Sequence, residues 1–141
     1  MSITAANASI NLAIDTVFPN GQLLEGFSVD DVFDAPSIKP VEVQMGVDGQ
    51  QSSGFVFVSK TITYHFLADS ISNEMFDEWY AQMEANRTTF NASGVTQLDT
   101  GEKWTMIKGS LTGYVWIPPA KKLLMPRSFE ITWEKVIKSK A

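Results

Sequence analysis

The sequence predicts a mainly β protein with one α-helix, arranged as a two-sheet β-sandwich or open barrel. Three observations lead there. Apolar and polar residues alternate through much of the 141-residue chain, the pattern of strands with one buried face. A single segment switches to helical spacing. Strand-like segments lie on both sides of it, which suits a helix laid against the edge of a β-layered core. The length fits one domain over residues 1–141.

Ile10, Leu12 and Ile14 alternate with Asn11 and Ala13, so the first strand has one buried face. Pro19-Asn20-Gly21 predicts a tight turn, because Asn-Gly accepts positive φ. Leu23-Leu24 and Phe27 then suggest a short second strand. Residues 38–60 read as a long hairpin-like excursion. Val41, Val43 and Met45 form its outgoing limb, and Phe55-Val56-Phe57-Val58 its return. The stretch between them is rich in turn formers and is expected to be mobile in the free subunit. Thr61, Thr63 and His65 alternate with Ile62, Tyr64 and Phe66 in the next strand.

The helix is expected over residues 72–85. Met75, Phe76, Trp79, Tyr80 and Met83 share one face and form its core side. Ser70 or Ser72 suits the N-cap, Glu74 the positive end of the dipole, and Asn86 a left-handed stop. Beyond it, residues 88–91, 104–107, 111–117 and 129–133 are the candidate strands. Asp99-Thr100-Gly101 and Pro118-Pro119 punctuate them.

The chemistry of catalysis is poorly represented. There is no cysteine, which excludes disulfides and thiolate sites and fits folding in a reducing cytoplasm. The one histidine, His65, sits inside an alternating β run with no nucleophile-elbow motif in the chain. Asp30, Asp31 and Asp34 read as a solvated acidic segment. Asp48-Gly49 has neither a calcium-loop nor a phosphate-loop pattern. No catalytic residue, metal or cofactor is expected. The chain has no apolar run of about 20 residues and opens without a basic-then-apolar signal, so no membrane role is expected. Trp104, Trp116 and Trp133 lie on separate strands, and core and contact surface both remain open for them.

Net charge is −5, unevenly distributed. Residues 1–86 hold two basic and twelve acidic side chains, and residues 87–141 hold nine basic and four acidic. Two readings stand: a solvated surface, or a polar subunit whose acidic part meets the basic part of a neighbour. An acidic protein does not hold nucleic-acid phosphates tightly. Unpaired strand edges invite association unless they are covered, and closing subunits into a ring covers them.

Several runs together resemble the tail tube proteins of contractile-tailed phages. They begin with Leu24-Glu25-Gly26-Phe27-Ser28-Val29-Asp30-Asp31-Val32-Phe33 and Val41-Glu42-Val43-Gln44-Met45-Gly46-Val47-Asp48-Gly49. Gly54-Phe55-Val56-Phe57-Val58, Ile62-Thr63-Tyr64 and Ala68-Asp69-Ser70-Ile71-Ser72-Asn73 follow, then Phe76-Asp77-Glu78-Trp79-Tyr80. The series closes with Lys121-Lys122-Leu123-Leu124-Met125-Pro126 and Phe129-Glu130-Ile131-Thr132-Trp133-Glu134. The likeness spans residues 19–136 as many short matches in order.

That resemblance implies homohexameric rings whose inner strands close into a shared β-barrel, with the helix facing outward. Stacked head to tail, the rings would form the hollow tail of a virion assembled in the host cytoplasm. DNA would pass through its lumen during ejection without specific binding. Other implied partners are tail sheath, tape measure and baseplate proteins. Met45-Gly46-Val47-Asp48-Gly49-Gln50-Gln51-Ser52-Ser53-Gly54 becomes the inter-ring loop. Asp30, Asp31, Asp34, Glu42 and Asp48 become candidate lumen or ring-contact acids. Two alternatives remain: a tail-completion or baseplate paralogue of the same fold, and a monomeric β module that binds through exposed tryptophans.

Overall fold

The computed structural model describes residues 8–28 and 32–140. Within them the elements run β1 (Ser9–Ile14), β2 (Phe18–Leu23), β3 (Phe33–Asp34), β4 (Val41–Met45), β5 (Gln51–Phe55) and β6 (Lys60–Phe66). They continue with α1 (Asn73–Asn86), β7 (Ala92–Gln97), β8 (Glu102–Tyr114) and β9 (Arg127–Lys140). Seven strands form one antiparallel sheet in the order β2-β1-β7-β8-β9-β6-β3, while β4 and β5 pair only with each other. The architecture is therefore mainly β with one helix and two sheets, as the alternation predicted. The large sheet curls without closing: Phe33 and Ile62 from one side line a cavity of about 260 Å³ together with Thr96 and Trp104 from the other.

Strand period places the core. Ile10, Leu12 and Ile14 of β1, Tyr64 and Phe66 of β6, and Phe129, Ile131 and Trp133 of β9 all point to one face and are fully buried. Met75, Phe76 and Trp79 of α1 cover that face. Phe76 stacks on Phe129 with centroids 4.3 Å apart and planes 4° from parallel. Trp79 donates its indole N–H to the Phe90 carbonyl at 3.0 Å, so burial leaves that donor satisfied.

Local readings changed where tertiary pairing overrode turn propensity. The first turn lies at residues 15–17, with Thr16 at φ 73°, and not at Pro19-Asn20-Gly21. Those three residues lie inside β2, an edge strand, where a proline lacks no needed ladder bond. A bulge between Leu12 and Ile14 absorbs the register shift. Residues 88–91 lie outside the strands, and pairing starts at Ala92. The segments 104–107 and 111–117 are not two strands: they merge into β8, which ends at Tyr114.

Two local features make β8 continuous. Lys108 takes φ 53° and forms a bulge opposite β7. Gly109 leaves room for the Trp133 ring, since an added Cβ would lie 2.5 Å from Trp133 Cζ3 and 2.8 Å from Ile131 Cγ2. The helix runs one residue later than residues 72–85. Arg87, at φ 50°, makes the left-handed stop in place of Asn86. Ser72 occupies the N-cap position without capping, because its hydroxyl accepts the Glu25 amide at 2.7 Å. Ser70 Oγ accepts the Ser72 amide at 3.2 Å instead.

Substituting Gly109→Ala should therefore destabilise the protein by about 1–3 kcal/mol through overpacking. Gly54→Ala, where nothing lies within 4 Å of an added Cβ, should change stability by under about 0.5 kcal/mol. Urea unfolding of the two variants beside the parent measures the difference.

Candidate functional site

The surfaces with most potential for contact are those the core does not cover. Strand β4 places Val41, Val43 and Met45 on one face of its hairpin, and register sets Val41 opposite Phe55. Glu42 and Gln44 occupy the other face. An isolated two-stranded ribbon is marginal in water without cover for its apolar side. Here that side is open: Val43 is 59% exposed, Met45 63% and Phe55 69%. Phe57, just beyond β5, packs edge-on to Phe55 at 5.1 Å and is otherwise solvent-facing.

The tip is ordered by its own hydrogen bonds. Gly46 N–H donates to the Gln50 carbonyl at 2.7 Å, and Gln50 N–H to Asp48 Oδ1 at 3.0 Å. The expected mobile stretch is accordingly a turn at residues 46–50 followed by a paired strand. The returning limb is Gln51–Phe55 and not residues 55–58. Of the stretch assigned to an inter-ring loop, Met45 ends β4, Gly46 to Gln50 form the turn, and Gln51, Ser52, Ser53 and Gly54 belong to β5.

A second uncovered surface is the loop of residues 115–126 between β8 and β9. Trp116 (73%) and Leu123 (79%) are its most exposed large apolar side chains. Lys121 and Lys122 stand at its apex, also exposed. Backbone bonds from Met125 N–H to the Pro119 carbonyl, and from Lys121 N–H to the Leu123 carbonyl, give it a hairpin-like shape.

Arg127 ties the base of this loop to the helix. It donates to the Val115 carbonyl from Nε (3.0 Å) and Nη2 (2.8 Å), and to both oxygens of Asp77. Tyr114 donates its hydroxyl to the same carboxylate and stacks on Tyr80 at 4.6 Å. Partial burial alone would raise the Asp77 carboxyl. The hydrogen bonds from Arg127 and Tyr114, with the Arg127 charge, outweigh it and hold the group below its ordinary value. Burial first, then the Asp77 carboxylate, pushes the Tyr114 phenol up to about 12.

The sheet face opposite the core is polar across its centre. Thr132 lies 3.1 Å from Thr61 and 2.9 Å from Thr112, oxygen to oxygen, and Thr112 also donates to Glu130 at 3.1 Å. Along the same face His65 Nδ1 lies 2.9 Å from Ser128 Oγ, and His65 Nε2 lies 3.1 Å from Asp34 Oδ2. This Asp–His–Ser chain has the connectivity of a nucleophile relay. Its setting differs: Ser128 and His65 are directly paired residues on adjoining strands. The apolar cavity lined by Ile62, Trp104 and Met106 does not include either residue. The chain reads as cross-strand polar pairing.

Of the candidate acids, Asp34 joins this polar face, while Glu42 and Asp48 lie on the hairpin, so the structure does not gather the three together. Asp30 and Asp31 lie outside the described residues. On the helix, Met75, Phe76 and Trp79 are fully buried, Met83 is partly buried, and Tyr80 is 40% exposed above Tyr114. Trp133 is core, Trp104 is half-buried beneath Lys138, and Trp116 faces solvent. Sequence reasoning missed the Asp77–Arg127 pair and the 115–126 surface. The first joins residues fifty positions apart, with no local signal. The second had one: Trp116-Ile117 followed by Leu123-Leu124 is too apolar for an ordinary solvated loop.

Residues 1–137 match the protein family described as "Tail fiber protein gp32". The chain belongs to that family. Among curated proteins no sequence matches it. Its fold recurs in a component of the extracellular contractile injection system PVC sheath/tube terminator, with TM-score 0.62 and 13% identity over 99% of this chain and 97% of the other. A chain of the anti-feeding prophage baseplate, 6-fold symmetrised, gives 0.55 and 14% over 99% and 98%. The anti-feeding prophage tube-terminating cap gives 0.57 and 12% over 100% and 93%. At such identities the likeness is one of fold. Together with family membership, it makes the gp32-family chain a tail-associated structural component.

Three variants test this geometry. Because the folded pKa of Asp77 is depressed, its contribution to stability is present above the unfolded value of about 3.9. It is lost as pH falls through the lower folded value. Asp77→Asn should thus lower stability at neutral pH and flatten the acid limb of a stability–pH curve. Arg127→Met, which leaves Asp77 unpaired, should cost about 2–4 kcal/mol at neutral pH, toward the lower end because Asp77 is half-exposed. His65→Ala, by contrast, should cost no more than about 1 kcal/mol and leave assembly unchanged. Thermal unfolding over a pH series measures the three stability effects, and sedimentation the assembly of the His65 variant.

Proposed function

We propose that this protein is a tail tube subunit: six copies form a ring, and rings stack head to tail into a hollow conduit for DNA. One observation carries the reading. The hairpin β4–β5 pairs with no other strand and leaves Val41, Val43, Met45 and Phe55 exposed on one face, and an exposed apolar patch of this kind marks a site for a partner. The open sheet supports the same conclusion. Its edge strands β2 and β3 offer unpaired backbone groups to neighbours, and lateral pairing around a ring would satisfy them. A structural neighbour of matching length belongs to a baseplate described as 6-fold symmetrised.

In such a ring the polar face of β6, β9 and β8 would line the lumen. Thr61, Thr112 and Thr132 offer neutral hydroxyls there, and Asp34 and Glu130 offer carboxylates. That lining would repel phosphates and let DNA slide. Helix α1, on the core side of the sheet, would then face outward, toward a sheath where one exists. Asp34 takes the lumen role among the candidate acids, and Glu42 and Asp48 take ring contacts.

A second reading has its own support. Two structural neighbours come from a tube terminator and a terminating cap, so a tail-completion or baseplate ring protein of the same fold would make one or a few rings only.

Negative-stain electron microscopy of the purified protein over a concentration series separates these readings. Long tubes of uniform diameter are the expected result, single or few rings would favour the completion protein, and a monomer at every concentration would overturn ring assembly. Deleting residues 46–53 should leave a folded subunit that no longer stacks, as measured by circular dichroism and sedimentation.

A further inference from the structure

The two uncovered apolar surfaces sit at opposite ends of the sheet. Lys60, where the hairpin rejoins the sheet, pairs with Trp133, while Phe66 pairs with Arg127, where the 115–126 loop rejoins it. Six residue steps along β6 separate those pairs, about 20 Å at the rise of a strand. The hairpin base also packs beside Glu134 and Lys135, farther still from the loop. Within one copy the surfaces therefore leave from opposite poles.

Their chemistry is complementary. Residues 41–55 contain two acids, Glu42 and Asp48, and no basic residue; residues 115–126 contain two lysines, Lys121 and Lys122, and no acid. Both are apolar and exposed, through Val43, Met45 and Phe55 on one side and Trp116, Leu123 and Leu124 on the other. A two-fold contact of hairpin with hairpin, or of loop with loop, would set like charges together. A contact of hairpin with loop brings the two apolar surfaces together and sets Asp48, at the hairpin tip, toward the lysines, while Glu42 lies on the hairpin's other face. Because the surfaces lie at opposite poles, that contact repeats from copy to copy without using itself up.

We infer that the β4–β5 hairpin of one copy docks on the 115–126 loop of the next copy, and that this is the longitudinal contact. The inference rests on the stacking reading above and names the surface that receives the hairpin. The Arg127 clamp gains a role from it: by holding the Val115 carbonyl, it fixes the receiving loop to the sheet before a partner arrives.

The chain has no cysteine, so a cross-link can be introduced on an unreactive background. A variant carrying both Val43→Cys and Leu123→Cys, assembled and then mildly oxidised, should give a ladder of covalent multimers on a non-reducing gel. Reduction should collapse it, and each single variant should give no species beyond a dimer. If the parent assembles but the double variant gives no ladder, the receiving surface lies elsewhere and the inference fails while stacking stands. If the parent never associates, both fail. As a second arm, Lys121→Glu with Lys122→Glu should reduce pelletable protein on the order of tenfold or more. Adding Asp48→Lys to that variant should restore part of it. Unchanged assembly in the lysine-reversed variant, with an intact circular dichroism spectrum, would overturn the charge pairing.

Discussion

The stacking of Phe76 on Phe129 joins the only helix among the described residues to the strand on which the sheet depends. Strand β9 pairs with β8 along one side and with β6 along the other, so a helix fixed to it is fixed to the middle of the fold. The rings lie nearly parallel at 4.3 Å, an offset arrangement that keeps their π-faces from repelling. Burying two such rings contributes several kcal/mol, at about 2–3 each. One residue beyond Phe76 and two before Phe129, Asp77 and Arg127 add a charge pair to the same crossing. The Arg127 guanidinium also lies 5.0 Å from the Phe129 ring. Helix register, strand register and loop anchor are thus set at one place.

From that crossing the molecule divides into what folding stabilises and what folding leaves open. The helix side of the sheet holds the buried aromatics and aliphatics. Its opposite face carries threonines, a serine, a histidine and carboxylates bonded across strands, where each pair contributes little to stability. The hairpin and the 115–126 loop contribute less again, because their apolar groups remain in water. A free subunit gains nothing from those surfaces, and about 25 cal/mol per Å² becomes available when a partner covers them. The stabilising and the uncovered parts of the chain are therefore nearly separate, so variants of the uncovered surfaces need not unfold the protein.

Family membership and the shared fold point to the same kind of object. The chain is a tail-associated member of the gp32 family, and its fold recurs in a baseplate and in tube-ending assemblies. The Asp34–His65–Ser128 chain belongs to the polar face of that fold. The atoms of a relay are connected, but His65 and Ser128 are directly paired cross-strand neighbours on one ladder. Cross-strand neighbours bonded in this way stabilise the ladder as a side-chain pair.

The period of the sequence by itself determined which residues of β1, β6 and the start of β9 are buried, because a strand alternates faces whatever its neighbours are. It also determined the helix and its buried Phe76 and Trp79, since an amphipathic stripe identifies its own inner face. Tertiary structure decided the rest for identifiable reasons. Pro19-Asn20-Gly21 looked like a turn, yet lies in an edge strand because β1 could bulge to meet it. Residues 104–117 looked like two strands, yet are largely one because Lys108 accepts a left-handed φ and Trp133 fills the space above Gly109. Of the candidate site, Val41, Val43, Met45 and Phe55 were legible as strand residues. Their exposure was not, because alternation marks a face as apolar without saying whether anything covers it. That, among the described residues, β4 and β5 pair only with each other and stay exposed beyond the base beside Glu134 and Lys135 is a fact of long-range packing. The pairing of Asp77 with Arg127 belongs to the same class, because only the fold brings residues fifty positions apart within hydrogen-bonding distance.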